Sequence, residues 1–219
     1  MDEPQIALAP YCERAGAGFW AEPVNALTNL AFLVAALAIA HALHHAGRPW
    51  RKTWDLWLLA GLVAAVGVGS FLWHTLAAAW SGLADVVAIL LFINLFLISF
   101  LIRIARLRPL AVAAWFVAFQ TVNYVLASAF PPGVMNGSLF YLPTWATLWL
   151  MVAYCWKTGS PNKSLMLSAG LAFTASLSLR TLDVALCPAW PLGTHFGWHL
   201  LNGLTLYLVT IALIRDNER

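Results

Sequence analysis

The chain has 219 residues, of which 62% are hydrophobic and 10% charged, and its mean hydropathy is +0.78. Water-soluble domains carry about 25% charged residues, so this composition excludes an ordinary soluble domain, a disordered chain, a collagen and a disulfide scaffold. The length suits roughly seven membrane-spanning helices of ~20 residues with short connections. The sequence therefore predicts a polytopic membrane protein.

Apolar segments of spanning length follow one another along the chain, each bounded by Pro, Gly or basic residues. They cover residues 25–45, 56–78, 83–102, 109–129, 138–156, 165–182 and 193–214. The runs do not alternate between apolar and polar residues, as strands of a membrane barrel would. We predict an all-α fold in which residues 23–219 form seven transmembrane helices. Residues 1–22 form a polar extracytoplasmic segment without the features of a secretory signal.

The basic residues indicate the orientation of this predicted bundle. Of the 12 Lys and Arg, ten lie in the connections after the first, third and fifth segments or in the C-terminal tail: Arg48, Arg51, Lys52, Arg103, Arg106, Arg108, Lys157, Lys163, Arg215 and Arg219. Basic loops stay cytoplasmic, so the N-terminus is expected outside and the C-terminus in the cytoplasm. The net charge of +3 thus reports orientation. Neither a nucleic-acid partner nor an obligate protein partner is predicted.

A few polar residues lie near the outer ends of the predicted helices. Ser70 and His74 are four residues apart in the second segment, Asp85 begins the third, and His195 and His199 open the seventh. At 1.5 Å per residue, all five fall in about the outer third of the bilayer. An ionisable group in a spanning helix costs roughly 2.5–3.5 kcal/mol, so each needs a partner or a function.

Three histidines at one level, with a carboxylate and a hydroxyl group beside them, are typical of a catalytic zinc site with an open fourth position. Asp85 could orient a ligand histidine or act as general base towards water. Ser70 could donate a hydrogen bond to a developing oxyanion, or bond back to the carbonyl group of Val66. The alternative to an enzyme is a seven-helix receptor in which a structural zinc ion stabilises the fold.

The same residues resemble a known family. Ser70 and His74 lie in the run GVGSFLWHTL, and His195 and His199 lie in the run THFGWH. With Asp85, these motifs resemble the alkaline ceramidases, a branch of the seven-helix hydrolases that includes the adiponectin-receptor-like proteins. Further similarities span the chain from Tyr11 to Asn202. They are Cys12-Glu13, Ala21-Glu22 with Asn25 and Thr28-Asn29, and Asp183 with Cys187.

The resemblance implies hydrolysis of the amide bond of ceramide, or of a related N-acyl lipid, to a sphingoid base and a fatty acid. His74, His195 and His199 would hold zinc, Asp85 would activate water, and Ser70 would stabilise the oxyanion. The partners would be the bilayer and a lipid substrate that enters sideways. Another lipid, in phospholipid or glycolipid remodelling, is the alternative substrate.

The resemblance also implies a disulfide between Cys12 and Cys187, both on the predicted outer side, where oxidation is allowed. Eukaryotic members of the family carry a calcium site in the N-terminal segment. Only Glu13 and Glu22 match that site in this sequence. A calcium ion at these two residues is therefore possible, but it would lack most of its usual oxygen ligands.

Two remaining expectations concern location and charge pairing. The short tails without a retention signal favour a bacterial inner membrane. If the chain is eukaryotic, an ER or Golgi membrane is the expected location. The site would then lie in the non-cytoplasmic half of the bilayer. Arg180 and Asp183, three residues apart in the sixth segment, are predicted to form an ion pair.

Overall fold

The computed structural model describes residues 11–216, which contain α-helices and one 3-10 segment but no strand. The elements are α1 (Pro23–Thr28), α2 (Leu30–His45), α3 (Trp50–Leu76), α4 (Ala79–Arg103), α5 (Pro109–Ala129), the 3-10 segment Val134–Tyr141, α6 (Leu142–Lys157), α7 (Lys163–Leu186) and α8 (His195–Asp216). Asn29 separates α1 from α2 within the first span.

Seven helical stretches of the described chain are long and apolar enough to cross a membrane. They are Pro23–His45, Trp50–Leu76, Ala79–Arg103, Pro109–Ala129, Val134–Lys157, Lys163–Leu186 and His195–Asp216. The predicted all-α fold with seven spans is therefore confirmed. The direction in which the bundle sits in the membrane stays a prediction from the basic residues.

The second span begins at Trp50, six residues before the apolar segment predicted from the sequence. Its first turns are polar, and they are helical because α3 starts directly after Pro49 and then packs against α4. Asp55 accepts hydrogen bonds from Ser99 Oγ and Arg103 Nε, each at 2.8 Å. Arg103, one of the basic residues that predict the orientation, therefore also joins α3 to α4.

The helices meet in a core that contains Ile39 of α2, Leu59 and Val63 of α3, Phe100 of α4 and Leu213 of α8, all almost completely buried. α3 lies at the centre of this arrangement, since it packs against α2, α4 and α8. These same helices carry the candidate site residues. The site is thus built on the most firmly packed elements of the fold.

Gly69 allows α3 and α4 to approach each other closely. A Cβ atom at this position would lie 3.0 Å from the carbonyl oxygen of Ala84 and from the Cα atom of Asp85. Any larger residue would push the two helices apart, because real Cβ contacts are rarely so short. The glycine therefore brings the backbone of Asp85 next to Ser70, the following residue on α3.

Helix α5 differs from the other spans in its packing. Only 6% of its most apolar window is buried, whereas 33–67% is buried in the other six spans. Val112 is its only buried residue. The helix therefore lies at the periphery of the bundle, with most of its surface facing the space that lipid would occupy.

Candidate active site

Three buried histidines meet at one end of the bundle. His74 lies in the last turn of α3, His195 is the first residue of α8, and His199 lies one turn further along the same face. Their side chains offer ring nitrogens that all lie within 4.8 Å of one another. Each histidine is only 1–2% exposed. The predicted grouping is therefore formed by the fold, on two helices that pack in the core.

The nitrogens of these rings fit a metal ion. Nδ1 of His195 and Nε2 of His199 are buried and have no hydrogen-bond partner among residues 11–216. Buried polar atoms are almost always paired, so unpaired ring nitrogens in one cluster indicate a missing ligand. Three imidazole nitrogens are the protein ligands of many catalytic zinc sites. The group can thus hold a metal ion.

Two of the rings are oriented by partners at the junction of the N-terminal segment and the first span. Nδ1 of His74 lies 2.5 Å from Oε2 of Glu22, and Nδ1 of His199 lies 3.0 Å from Oγ1 of Thr28. Such contacts fix the ring and direct its other nitrogen to the metal. Sequence reasoning assigned Glu22 to calcium and noted Thr28 only as a family similarity. These two contacts could have been predicted from the position of Glu22 and Thr28 in the sequence. Both residues lie at the outer end of the first predicted helix, at the same membrane depth as the histidines.

The two glutamates of the possible calcium site already have protein partners. Glu22 pairs with Arg14 and also accepts a hydrogen bond from Nδ2 of Asn25 at 3.0 Å. Glu13 accepts hydrogen bonds from the backbone N–H groups of Val24 at 2.6 Å and Asn25 at 2.7 Å, at the start of α1. Calcium needs six or more oxygen ligands, and a guanidinium group stands beside one of these carboxylates. The residues therefore do not fit a calcium ion. The calcium site that the family resemblance implied stays an untested prediction.

Asp85 and Ser70 lie beside the histidines. Both line the same cleft as His199. Oδ1 of Asp85 is buried and without a hydrogen-bond partner in the described chain. Two histidines have other orienting partners, and no hydrogen bond among residues 11–216 joins Asp85 to a histidine. The arrangement therefore leaves this carboxylate available for a proton-transfer role.

Asp183 positions the start of α8. Its Oδ1 accepts the backbone N–H groups of Thr194 at 2.6 Å and His195 at 2.9 Å, and its Oδ2 accepts that of Cys12 at 3.2 Å. The predicted ion pair with Arg180 is wrong, because Asp183 instead pairs with the unsatisfied N–H groups of a helix start. The residue before Thr194 is Gly193, with φ of +68°, and a Cβ atom there would lie 2.2 Å from Oδ1 of Asp183. Only glycine fits.

The described part of the N-terminal segment, residues 11–22, covers the histidines. Cys12 and Cys187 form a disulfide with a Cα–Cα distance of 5.2 Å. The Tyr11 ring lies 4.1 Å from the His195 ring and 5.0 Å from the His74 ring, between centroids. Burial raises the pKa of Tyr11 above its usual value near 10. A neutral phenol thus closes this end of the site.

An apolar cleft leads from the site into the bundle. Most of its wall is hydrophobic and includes Phe92, Phe96, Phe119, Met151, Phe173 and Leu206. Ser70, Asp85 and His199 form its polar end. A cleft of this kind suits a molecule with a polar group and a hydrocarbon tail.

Seven apolar helices around a buried three-histidine site define a polytopic membrane protein with a candidate catalytic centre. The sequence model of the Ceramidase family matches residues 4–217, nearly the whole chain, and the chain belongs to this family. No curated protein sequence matches the chain significantly. Membership confirms the resemblance read from the motifs and supports a ceramidase-type hydrolase.

Proposed function

We propose that the protein is a zinc-dependent intramembrane amidase that hydrolyses ceramide or a related N-acyl lipid to a sphingoid base and a fatty acid. The observation that carries the proposal is the cluster of three buried histidines, with unpaired ring nitrogens, beside Asp85 at the polar end of an apolar cleft. Membership of the Ceramidase family supports the same reaction class.

In this proposal His74, His195 and His199 hold the metal ion. A zinc ion held by these residues would polarise the substrate carbonyl group and lower the pKa of a bound water molecule, so that the water could attack near neutral pH. The partners of the first span, Glu22 and Thr28, keep two of the rings in the orientation that metal binding needs.

Asp85 acts as the proton carrier. It takes a proton from the attacking water as the new C–O bond forms, and it delivers that proton to the amide nitrogen as the C–N bond breaks. The products are a carboxylic acid and a free amine, so atoms and charges balance with one water consumed. The buried, unpaired Oδ1 atom supports this role, since it has no competing hydrogen bond among the described residues.

Ser70 stabilises the negative charge that develops on the carbonyl oxygen. Ser70 is only 4% exposed and lies at the polar end of the cleft. A donor held in place before the reaction contributes more than one that must be reoriented during it. The close contact at Gly69 fixes the distance between this donor and Asp85.

The shape of the cleft supports a lipid substrate. The hydrophobic wall accommodates an acyl chain, while the amide group reaches the histidines at the polar end. The N-terminal segment covers the site from the water side, so the substrate enters sideways from the bilayer. With the predicted orientation, the reaction takes place in the non-cytoplasmic half of the membrane.

The test compares variants purified in detergent by zinc content and by fatty-acid release from a labelled ceramide. Asp85→Asn should keep a full complement of zinc and lose activity by about 10²–10⁴-fold, since general acid–base catalysis contributes that much. His199→Ala should lose both zinc and activity. His41→Ala is the matched control, because His41 is an exposed histidine of α2, and it should lose neither.

Two results would reject the proposal. Wild-type protein without bound zinc, or a His199→Ala variant with wild-type hydrolysis, would exclude a zinc-dependent enzyme. Tightly bound zinc without hydrolysis of any N-acyl lipid would instead favour the receptor with a structural metal.

A further inference from the structure

Arg180 lies near the C-terminal end of α7. Its guanidinium carbon is 5.4 Å from the ring centroid of Tyr141 and 5.4 Å from that of Trp198. Both aromatic rings line the cleft. Arg180 is half-buried, and its guanidinium group lies next to two rings that form part of the cleft wall.

This cation has no anionic partner in the part of the chain that the structure describes. The ion pairs among residues 11–216 join Arg14 to Glu22, His74 to Glu22, and Arg103 to Asp55. The nearby Asp183 is occupied by backbone N–H groups at the start of α8. Nε of Arg180 is buried without a hydrogen-bond partner. Charged groups inside a spanning helix are costly and usually paired, so an unpaired one indicates a functional contact.

The surroundings hold the guanidinium group in place. Asn136 Nδ2 donates a hydrogen bond to the backbone oxygen of Arg180 at 3.0 Å. Gly137, with φ of +74°, packs against the guanidinium group, and a Cβ atom there would lie 2.9 Å from Nη2. The rings of Tyr141 and Trp198 pack beside it. A planar fork fixed in this way is suited to bind a carboxylate, phosphate or sulfonate group.

Arg180 is also near the reacting groups. The Trp198 ring beside Arg180 belongs to the residue before His199, and Trp198, His199 and Asp85 all line the cleft. Arg180 forms no ion pair with Asp85 in the described chain. A lipid whose amide group lies at the histidines could therefore place its headgroup against Arg180. The acyl chain would still occupy the apolar part of the cleft.

We propose that Arg180 is the recognition residue for an anionic headgroup, and that the substrates of this enzyme are N-acyl lipids that carry a negative charge near the amide group. The proposal rests on the proposed amidase function, and it narrows the substrate class. Neutral ceramide is then a poorer substrate than an N-acyl lipid with a phosphate or carboxylate in its headgroup.

The experiment compares substrate pairs with one acyl chain. One pair is N-acylsphingosine and its 1-phosphate, and the other is N-acylethanolamine and N-acylglycine. Wild-type protein should show a kcat/KM at least about tenfold higher for the anionic member of one pair, as expected for one charge-assisted hydrogen-bonded contact. The pair that shows the preference identifies the anion.

Arg180→Gln should lower this preference by about ten- to a hundredfold, mainly through KM for the anionic substrate. Arg180→Lys should keep part of it, because the charge remains while the fork is lost. Arg108→Gln is the matched control, since it removes one exposed arginine from the connection before α5 and should leave the preference unchanged.

A binding measurement separates this proposal from the proposed function. Dodecyl phosphate should raise the Tm of wild-type protein and of Asp85→Asn more than dodecanol does, and this difference should disappear in Arg180→Gln. If no lipid is hydrolysed but the difference in Tm is found, the amidase fails and the anion site stands. Preference for the neutral member of both pairs, an equal loss for both members in Arg180→Gln, or no effect of dodecyl phosphate would overturn the anion site.

Discussion

Glu22 holds His74 in place: its Oε2 atom lies 2.5 Å from Nδ1 of the imidazole, and the carboxylate has no exposed surface. The other side of the carboxylate pairs with Arg14, which also donates a hydrogen bond of 3.4 Å to the backbone oxygen of His74. One buried carboxylate therefore connects the N-terminal segment to a candidate metal ligand. The contact explains how a segment outside the bundle can affect the site.

Replacing Glu22 should weaken metal binding. Glu22→Gln loses the charge that orients His74, and loss of such outer partners costs about 10–100-fold in metal affinity. Competition with a zinc chelator, followed by metal analysis, measures the change. Glu13→Gln is the control, because Glu13 contacts only backbone N–H groups at the start of α1 in the described chain. Equal zinc affinity in Glu22→Gln and wild type would contradict the assigned role.

Calcium should not stabilise the protein. Arg14 already provides a positive charge at Glu22, and Glu13 is engaged with α1. A ligand at a hundred times its Kd would add about 2.7 kcal/mol of stability, so binding would be visible as a higher Tm. We expect the same Tm in calcium chloride and in magnesium chloride. A rise specific to calcium would restore the calcium site implied by the family resemblance.

Gly69→Ala should damage the site, whereas Gly61→Ala should not. A Cβ atom at Gly69 would press on Ala84 and Asp85, and forced overpacking costs about 1–3 kcal/mol. At Gly61, on the same helix, nothing lies within 4 Å of the added atom. The first variant should therefore lose activity and thermal stability, while the second keeps both. Equal behaviour of the two variants would show that close contact between α3 and α4 does not position Asp85.

The disulfide between Cys12 and Cys187 should stabilise the fold. Its loss in Cys12→Ser is expected to cost about 2–5 kcal/mol, with a lower Tm. The double variant with Cys187→Ser should have the same Tm as the single one, because only one bond is lost. Alkylation of denatured, non-reduced protein should modify Cys155 alone. Modification of all three cysteines would argue against the bond.

The contribution of Tyr11 to stability should depend on pH only in alkaline solution. Burial raises its pKa, so the folded state holds a neutral phenol at pH values where an unfolded chain would begin to ionise it. The resulting contribution to stability is present below pH ~10 and is lost as the pH rises through the raised value. The Tm of Tyr11→Phe, relative to wild type, should therefore be constant from pH 7 to 9 and increase above pH ~10. A difference that does not change with pH would contradict the burial of Tyr11.

Hydropathy and spacing predicted the seven spans and the level of His74, His195 and His199, since both patterns are local in the sequence. The start of α3 was missed, because polar turns outside the apolar segment leave no hydropathy signal. The contacts of Glu22 and Thr28 with the histidines join residues 52 and 171 positions apart. Only packing of the first span against α3 and α8 creates them.

The predicted ion pair in α7 is a second case in which contacts between distant parts of the chain could not be predicted from local sequence. Spacing alone favoured an ion pair between Arg180 and Asp183. The start of α8 competes for Asp183 with two backbone N–H groups, and this competition cannot be read from α7 alone. Because Asp183 binds these N–H groups and not the guanidinium group, Arg180 is left available to a ligand.

The peripheral helix α5 contributes to the shape of the cleft but little to the stability of the fold. It contributes Phe119 to the wall of the cleft but almost nothing to the core, and the groups proposed for catalysis lie on other helices. Substitutions along α5 can therefore change which hydrocarbon tails fit without a large loss of folding stability. A family built on this plan can diversify its lipid range on one peripheral helix while the chemistry stays the same.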